Sequence, residues 1–493
     1  MRILFISSNL YSQFPACFPN GVGALSAYLK REGYEVAALH LGQKSDFRRI
    51  PDTLRDFAPD VVGISAVTCE TPIFEPVARM AKEWNPDVPV LAGGIHCIVS
   101  PDSVLAVEDV DAVCCGEGEL AFHEFLQKLE AGEDVTDTPN FMFRDSGKLV
   151  RTPTCTFIAD LDSLPPPDRS VADMQGIIDA NNGVLNVIFS RGCPWTCKFC
   201  CNQDIRQSGK GTYTRHVSVP RAMEELQRLT ETYDVSYVLF RDDTFTWKRD
   251  WAIEFLQTYP TLFDYPFDIF ARVDTLDEEL IDILAEAGCQ HVFIGLDSGN
   301  DFIRNEVLNK EQSNEDLLRV VDYMKSVGVI PMVSNIVGLP FETPERFLDT
   351  IELNRYIHRD MVVFSPTCGA CPKIWVFTPW PGSELHRLCE ENGWLQQDPG
   401  GSQVYRESVL DMPEFPPERI NRQYRLFRYL VYRESHPFHA LLFLLYDSKA
   451  FQDIFERIPP DVTGHIRKAV LSVVNSVERS RLLTRIARKV MAA

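Results

Sequence analysis

The sequence predicts two successive α/β units followed by a mainly helical region, on three observations. Residues 1–140 alternate short apolar runs with helical stretches, the pattern of parallel crossovers in a doubly wound, Rossmann-like sheet. Residues 185–385 repeat that alternation through six or more strand–helix units, which makes a partial or full (β/α) barrel. Between them, 141–184 lose periodicity and gain proline, and beyond 386 the strand pattern gives way to aromatic, apolar helix. A chain of 493 residues exceeds what one core usually holds, so several domains are expected.

Composition narrows the function. At 45% hydrophobic and 24% charged residues the chain is globular. A net charge of −21 argues against nucleic acid as a partner, since phosphate binding wants a basic face, and favours a small-molecule substrate. Met1-Arg2 runs into a strand without signal-peptide character, and no stretch approaches the length of a membrane span, so a cytoplasmic location is expected. Thiols stay reduced there, and the 14 cysteines read as metal ligands and core residues rather than disulfides.

In chain order, 2–7 (R-I-L-F-I-S) is a strand of buried type, leading to a helix near 22–32 and a strand at 34–41. Strands follow at 60–65, 88–92 and 112–115, with a helix near 76–83. Ligands of such sheets sit at the carboxyl ends of the strands. Those ends carry Ser65 and Thr68, then Gly93, Gly94 and His96, then Gly116, Glu117, Gly118 and Glu119. Glycine there lets a bulky flat ligand approach the backbone, and each glycine taken singly serves a tight turn equally well. Residues 140–150 read as a hairpin turning at Asp145-Ser146-Gly147, and the prolines within 161–170 as a stiff extended connector.

In the second unit, strands are expected at 184–189, 235–240, 267–271, 291–296, 330–337, 361–366 and 374–377. Helices are expected near 219–232, 251–257, 277–287, 314–328 and 344–355. Barrel active sites lie at strand C-terminal ends. The first such end carries Cys193, Cys197 and Cys200 in a C-x3-C-x2-C array, and four of the 14 cysteines fall between Cys193 and Cys201. Ordinary buried cysteines do not cluster in this way. A mononuclear zinc site wants four ligands, usually as two separated pairs, whereas a cubane iron–sulfur cluster needs one ligand per iron. Three cysteines leave one iron open to a substrate or cofactor.

C-x3-C-x2-C after a strand, with aromatic Phe199 just before the third cysteine, resembles the signature of the radical S-adenosylmethionine (radical SAM) enzymes. The set G-I-S, G-G-I-H and G-E-G-E ahead of it resembles the cobalamin-binding domain joined to many of them, among them class B methyltransferases and anaerobic cyclases. Cobalamin proteins that give cobalt a histidine carry D-x-H-x-x-G after the first strand. Here that loop reads S-S-N-L-Y-S-Q-F-P. The resemblance therefore implies cobalamin without a protein histidine ligand, or a domain that no longer binds it. His40 follows the second strand and does not match, and His96 reads first as a hydrogen-bonded loop histidine.

The same resemblance implies a [4Fe-4S] cluster on Cys193, Cys197 and Cys200, with S-adenosylmethionine on the open iron beside Phe199. Its amino group would lie by Asp242 and Asp243, where the family usually has glycine-glycine-glutamate. A paired Asp could instead cap the following helix. Arg272 could take the methionine carboxylate or salt-bridge to Asp274. Asp297, where related sequences commonly have Glu, and Ser298 close the fourth strand. N-I-V-G-L-P-F-E-T at 335–343 resembles the segment beside the adenosyl group, with Gly338 leaving room for adenine and Glu342 ordering the loop or capping a helix. The residues 378–385 resemble the segment that closes these barrels.

The implied domains are a cobalamin-binding unit at 1–140, a Pro-rich linker at 141–184, a radical SAM barrel at 185–385 and a mainly helical region at 386–493. The implied activity is reductive cleavage of S-adenosylmethionine and functionalisation of an unactivated carbon of a small molecule or natural-product intermediate. Methyl transfer is the first reading, oxidative cyclisation or ring rearrangement the second. An external one-electron reductant such as flavodoxin or ferredoxin is implied with either. A non-catalytic cobalamin-binding protein and an iron–sulfur electron carrier are disfavoured, because the triad is intact and holds three cysteines rather than four.

Cys368 and Cys371, in C-G-A-C, are not explained by the family. They read as half a metal site, a redox pair, or a methyl-accepting or hydrogen-donating thiol, and Cys201 as structural. Residues 423–451 read as buried helix. Residues 464–493 hold seven Lys or Arg and one acidic residue at helical spacing, for which docking on the acidic body is favoured over contact with an anionic membrane surface.

Overall fold

A computed structural model of the chain describes residues 1–11, 16–145, 148–365, 367, 369–397 and 405–449. Cys368 and the basic stretch 464–493 lie outside the described residues. No described helix is long and apolar enough to cross a membrane.

The first unit is one sheet of β1 (Arg2–Ser8), β2 (Glu35–Leu41), β3 (Val61–Ser65), β4 (Val90–Gly93), β5 (Ala112–Cys114), β6 (Phe141–Asp145) and β7 (Lys148–Arg151). Their order is β2-β1-β3-β4-β5-β6-β7. The first five run parallel, so each must bury both faces. β1 shows how its apolar run does so. Ile3 and Phe5 enter a core that continues into the second unit, while Leu4 and Ile6 enter a core confined to the first. Strand order reverses between β1 and β3, the switch point at which such sheets open a crevice.

The hairpin expected in the linker is β6–β7. It pairs antiparallel with β5, Ala112 opposite Phe143, and carries the sheet on to residue 151. Phe141 and Phe143 stack on Phe125 of the helix Gly118–Ala131, with ring centres 5.2 and 6.5 Å apart. That contact draws the hairpin into the first core.

The second unit opens with β8 (Val184–Val187) and the short antiparallel ribbon β9 (Ser190–Arg191) and β10 (Arg215–His216). β11 (Tyr237–Phe240), β12 (Phe267–Ala271), β13 (Cys289–Asp297) and β14 (Ile330–Val337) follow. After the small hairpin β15 (Phe364–Ser365) and β16 (Gly369–Ala370) comes β17 (Lys373–Val376). Six parallel strands in the order β17-β14-β13-β12-β11-β8 form a partial barrel, with β8 and β17 as its unpaired edges. The intervening helices begin where side chains cap them: Ser218, Asp277, Ser313 and Thr343 each accept a backbone N–H from three residues on.

Two expectations are corrected. The described residues of the expected strand 361–366 do not join the barrel sheet: Phe364–Ser365 turns into a small hairpin whose Ser365 and Thr367 hydroxyls are held by the barrel floor. Asp268, fully buried on β12, accepts from Tyr237 (2.5 Å), from the backbone and Nδ1 of His291 (3.1 and 2.8 Å), and from Ser365 (3.2 Å) and Thr367 (2.5 Å) of the hairpin. The helix expected over 423–451 is two, Pro417–Tyr432 and Pro437–Tyr446, since Pro437 cannot continue a helix begun before it. Both pack on the outer face of β14 and β17.

Asp268→Ala leaves several buried donors without an acceptor. It should lower stability by at least about 3 kcal/mol, at roughly 1–3 kcal/mol per orphaned group, seen as an earlier urea transition. An unchanged midpoint would show that the hairpin is not anchored there.

Candidate functional site

The three cysteines stand on a loop that the backbone forces into one turn. β9 delivers Arg191, and Gly192 follows with φ +84°, where an added Cβ would lie 2.7 Å from the Tyr213 carbonyl. Only glycine turns the chain there. Beyond it, Arg206 donates to the Cys193 carbonyl (2.8 Å), Cys200 N to the Cys197 carbonyl (3.1 Å), and Lys198 N to the Leu308 carbonyl (3.1 Å).

All three thiols are half-buried. Burial pushes Cys193 up to about 11 and raises Cys197 against the opposing charges of Lys310 and Arg272. Cys200 is raised by its hydrogen bond with Cys201 and by burial. Thiols held protonated in this way take a bound cation to ionise them, which a metal ligated by the sulfur provides. Three thiols in one loop give one ligand to each of three irons and leave a fourth open, so the set fits a cubane cluster better than a four-ligand zinc site.

The loop is flanked by opposite charges. On one side Asp243 is exposed, its carboxylate accepting from Asn202 Nδ2 (3.1 Å), and the surrounding protein still raises it. Asn202 also donates to Cys200 Sγ at 3.5 Å. On the other side Arg272 Nη1 lies 3.7 Å from Cys197 Sγ, its guanidinium 4.5 Å over the Trp195 ring. Lys310, not anticipated from the sequence, stands beside it, with Arg272 donating to the Lys310 carbonyl (2.6 Å). A zwitterionic amino-acid group would meet a carboxylate at one end and cations at the other.

The other residues expected around S-adenosylmethionine are engaged differently. Asp242 is buried, accepts from Phe189 N (3.0 Å) and Ser190 Oγ (2.5 Å), and is raised by burial to about 6, so it braces the β8–β9 connection. Asp297 forms a buried ion pair with Lys310 at 2.5 Å. Arg272 spends two bonds on Asp274, at 2.9 and 3.1 Å. Ser298 is fully buried in its turn, its hydroxyl accepting from Asn300 N (3.2 Å). Phe199 packs against the C-terminal core. Gly338 (φ +83°) does not leave open space, because a Cβ there would lie 2.8 Å from Ile420. Glu342 does order that loop, accepting from Gly338 N at 2.8 Å.

Where β1, β3, β4 and β5 end, a cavity of about 420 Å³ opens, bounded across by Pro165, Pro166, Pro167 and residues 188–191. Six of the eight residues expected to hold cobalamin line it: Ser65, Gly93, Gly94, Gly116, Glu117 and Gly118. Its size suits part of a large ligand, and the glycines bring backbone to its surface. Thr68 and His96 do not line it. They bond to each other (3.2 Å), His96 also meets Ser103 (3.0 Å), and burial lowers the imidazole to about 4.

Glu117 is committed elsewhere as well. Its Oε1 accepts from Arg191 (3.0 Å) and Arg215 (2.7 Å), and Glu119 accepts from Arg191 (2.5 Å). Burial alone would raise the Glu117 carboxyl, and the two guanidiniums bring it below its ordinary value. Cys371 is fully buried among core residues, near the Val333 carbonyl and His358 (both 3.7 Å), and burial pushes it up to about 12. That is the setting of a core thiol. Glu119 was already named at its strand end, and of the residues sequence reasoning missed, Arg191 sits inside a stretch already singled out, S-R-G-C. Lys310, in N-K-E-Q, carries no motif.

Glu342 yields a pH test. Burial raises its carboxyl from 4.5 to about 8, so the folded chain holds a proton that the unfolded chain releases. Its contribution is complete below pH 4.5 and declines as pH rises toward 8, by up to about 1.4 kcal/mol per pH unit. Glu342→Gln lacks that decline, so its stability relative to wild type should rise from pH 5 to pH 8 in urea unfolding. A constant difference would contradict a buried, protonated Glu342.

Residues 187–353 match the radical SAM superfamily, and residues 15–126 match the B12 binding domain. The chain is 29% identical over 410 residues to an uncharacterized methyltransferase of Pyrococcus horikoshii, covering 83% of this chain and 86% of that one. It is 28% identical over 404 residues to the anaerobic magnesium-protoporphyrin IX monomethyl ester cyclase of Rubrivivax gelatinosus, covering 78% and 69%. In fold it is similar to the radical S-adenosylmethionine methyltransferase TsrM from Kitasatospora setae, with a TM-score of 0.62 at 18% identity, covering 81% of this chain and 77% of that one. The cobalamin-dependent S-adenosylmethionine radical enzyme OxsB is similar too, with a TM-score of 0.64 at 16% identity, covering 79% and 61%. The chain belongs to the radical S-adenosylmethionine enzymes that carry a B12-binding domain.

Proposed function

We propose that this chain is a cobalamin-dependent radical SAM enzyme that methylates an unactivated carbon of a small molecule. The observation that carries the reading is that residues 188–191 wall the strand-end cavity and run directly into Cys193, so the two sites share one piece of backbone. The methyltransferase relatives support methyl transfer, and the Rubrivivax cyclase supports cyclisation as the second reading.

The residues divide the work as follows. Cys193, Cys197 and Cys200 hold the [4Fe-4S] cluster. Asp243 takes the ammonium of S-adenosylmethionine, and Lys310 with Arg272 its carboxylate. Lys310 is kept in place by Asp297, and Arg272 by Asp274. Ser65, Gly93, Gly94 and Gly116 present backbone and a hydroxyl to part of cobalamin. When bound, these groups supply one-electron cleavage of the sulfonium, hydrogen abstraction and a cobalt-carried methyl group. Asp242 and Gly192 fix the approach of the loop, and the Trp195 ring covers Arg272 from solvent. The cobalamin-binding unit then comprises 1–140 with the 141–151 hairpin, and is followed by the barrel at 185–385 and by helices within 386–449. An acidic chain without nucleic-acid character fits a small substrate and an external reductant such as flavodoxin or ferredoxin in the cytoplasm.

Anaerobically reconstituted full-length chain, given S-adenosylmethionine and dithionite, should release 5'-deoxyadenosine, and Cys197→Ala should release none. Release by the variant would place the cluster elsewhere. Gly93→Leu fills open space in the cavity wall. It should weaken cobalamin binding by at least about tenfold, or 1.4 kcal/mol, with cluster iron unchanged; equal binding would take cobalamin out of this cavity. With methyl-deuterated S-adenosylmethionine, label in the product supports methylation, and an unlabelled product two hydrogens poorer supports cyclisation.

A further inference from the structure

We infer that Arg191 is a positioning residue that couples the strand-end cavity to the cysteine loop, so that cobalamin and the cluster each alter the affinity of the other. This rests on the functional reading above, with cobalamin in the cavity and the cluster on the cysteines.

The coupling follows from where one guanidinium sits. Its Nη1 and Nη2 bond separately to Glu117 (3.0 Å) and Glu119 (2.5 Å), and both carboxylates line the cavity together with Arg191 itself. Glu117 and Glu119 stand at the end of β5 and the start of the helix Gly118–Ala131, so they move with the cavity's own strand end. On the other side Arg191 is paired in β9 with Arg215, whose guanidinium closes the ring on Glu117 at 2.7 Å and donates to the Ile158 carbonyl at 2.7 Å.

Cys193 is two residues on, and at Gly192 between them the chain passes so close to Tyr213 that an added Cβ would lie 2.7 Å from its carbonyl. A displacement of Arg191 is therefore not absorbed by a flexible linker before it reaches the first cluster ligand. Ligand atoms that meet Glu117 or Glu119 reset the fork that aims Arg191, and the loop follows. A clamp that merely held two domains together would need neither carboxylate in the cavity wall.

Arg191→Ala leaves the buried Glu119 carboxylate without its cation, while Glu117 keeps Arg215, and is expected to destabilise the chain, so the test uses Arg191→Lys. Lysine keeps the charge but, as a point charge on a flexible stem, cannot bridge both carboxylates in a fixed fork. Glu119→Gln serves as a second variant that weakens one arm only. The measurement is the dissociation constant of hydroxocobalamin for the full-length chain, with the cluster reconstituted and with it removed by chelation. In wild type the two values should differ by at least about fivefold. In Arg191→Lys the ratio should fall to within about twofold, with Glu119→Gln between them, by the same linkage. Equal wild-type values with and without cluster, or an undiminished ratio in Arg191→Lys, would overturn the coupling. Absence of hydroxocobalamin binding in either state would instead overturn the functional reading, and the coupling with it.

Discussion

The arrangement depends on gathering four charges in one place, two of them buried and two half-buried. Glu117 and Glu119 come from the first unit and Arg191 and Arg215 from the second, with Arg215 at 5% exposure and Glu119 at 5%. Charges taken out of water are tolerated only when each is met by its opposite, and removing a single partner costs about 3–5 kcal/mol. Such a group adds little net stability compared with apolar residues in its place, but it admits only one relative placement of the two units. The continuous core behind it, in which Ile3 and Phe5 join residues of the barrel, supplies attraction without direction. The ion cluster supplies direction.

Desolvation is the second constraint, and it sorts the titratable groups by whether anything offsets it. Where a counter-charge is present, as at Glu117, the group stays ionised and acts as a strut. Where none is present, as at Glu342, His96 and Cys371, the neutral form is favoured and the group packs or donates like any other buried polar atom. The cysteine triad is raised in the bare chain, at Cys197 in spite of Lys310 and Arg272, and would join the first set on binding a cationic cluster.

Much of this was legible in the sequence, and the division between what was and was not has a physical basis. Strand and helix positions depend on periodicity within a few residues, and 330–337 and 219–232 were located to the residue in this way. Glycines at strand ends announced the cavity because the chain must turn there whatever else it does. Partners chosen across the fold were not legible. Asp297 was visible as a carboxylate at a strand end, but its lysine is 13 residues away with no periodic relation to it. Gly338 was read as space for a ligand, and Ile420 of a distant helix fills it. Residues 361–366 have strand-like composition, and only the buried Asp268 shows why the hydroxyls of Ser365 and the nearby Thr367 turn inward to the barrel floor.

That floor has a consequence for traffic. With β15–β16 stopped against Asp268, the partial barrel is a cup rather than a tube, open at the rim where the cysteine loop lies. Any two molecules that share such a rim pass over it in sequence, and the one nearer the floor is the first to arrive and the last to depart. Two hydrogen bonds from Ser365 and Thr367 to one buried carboxylate thus bear on the order of traffic at the other end of the barrel.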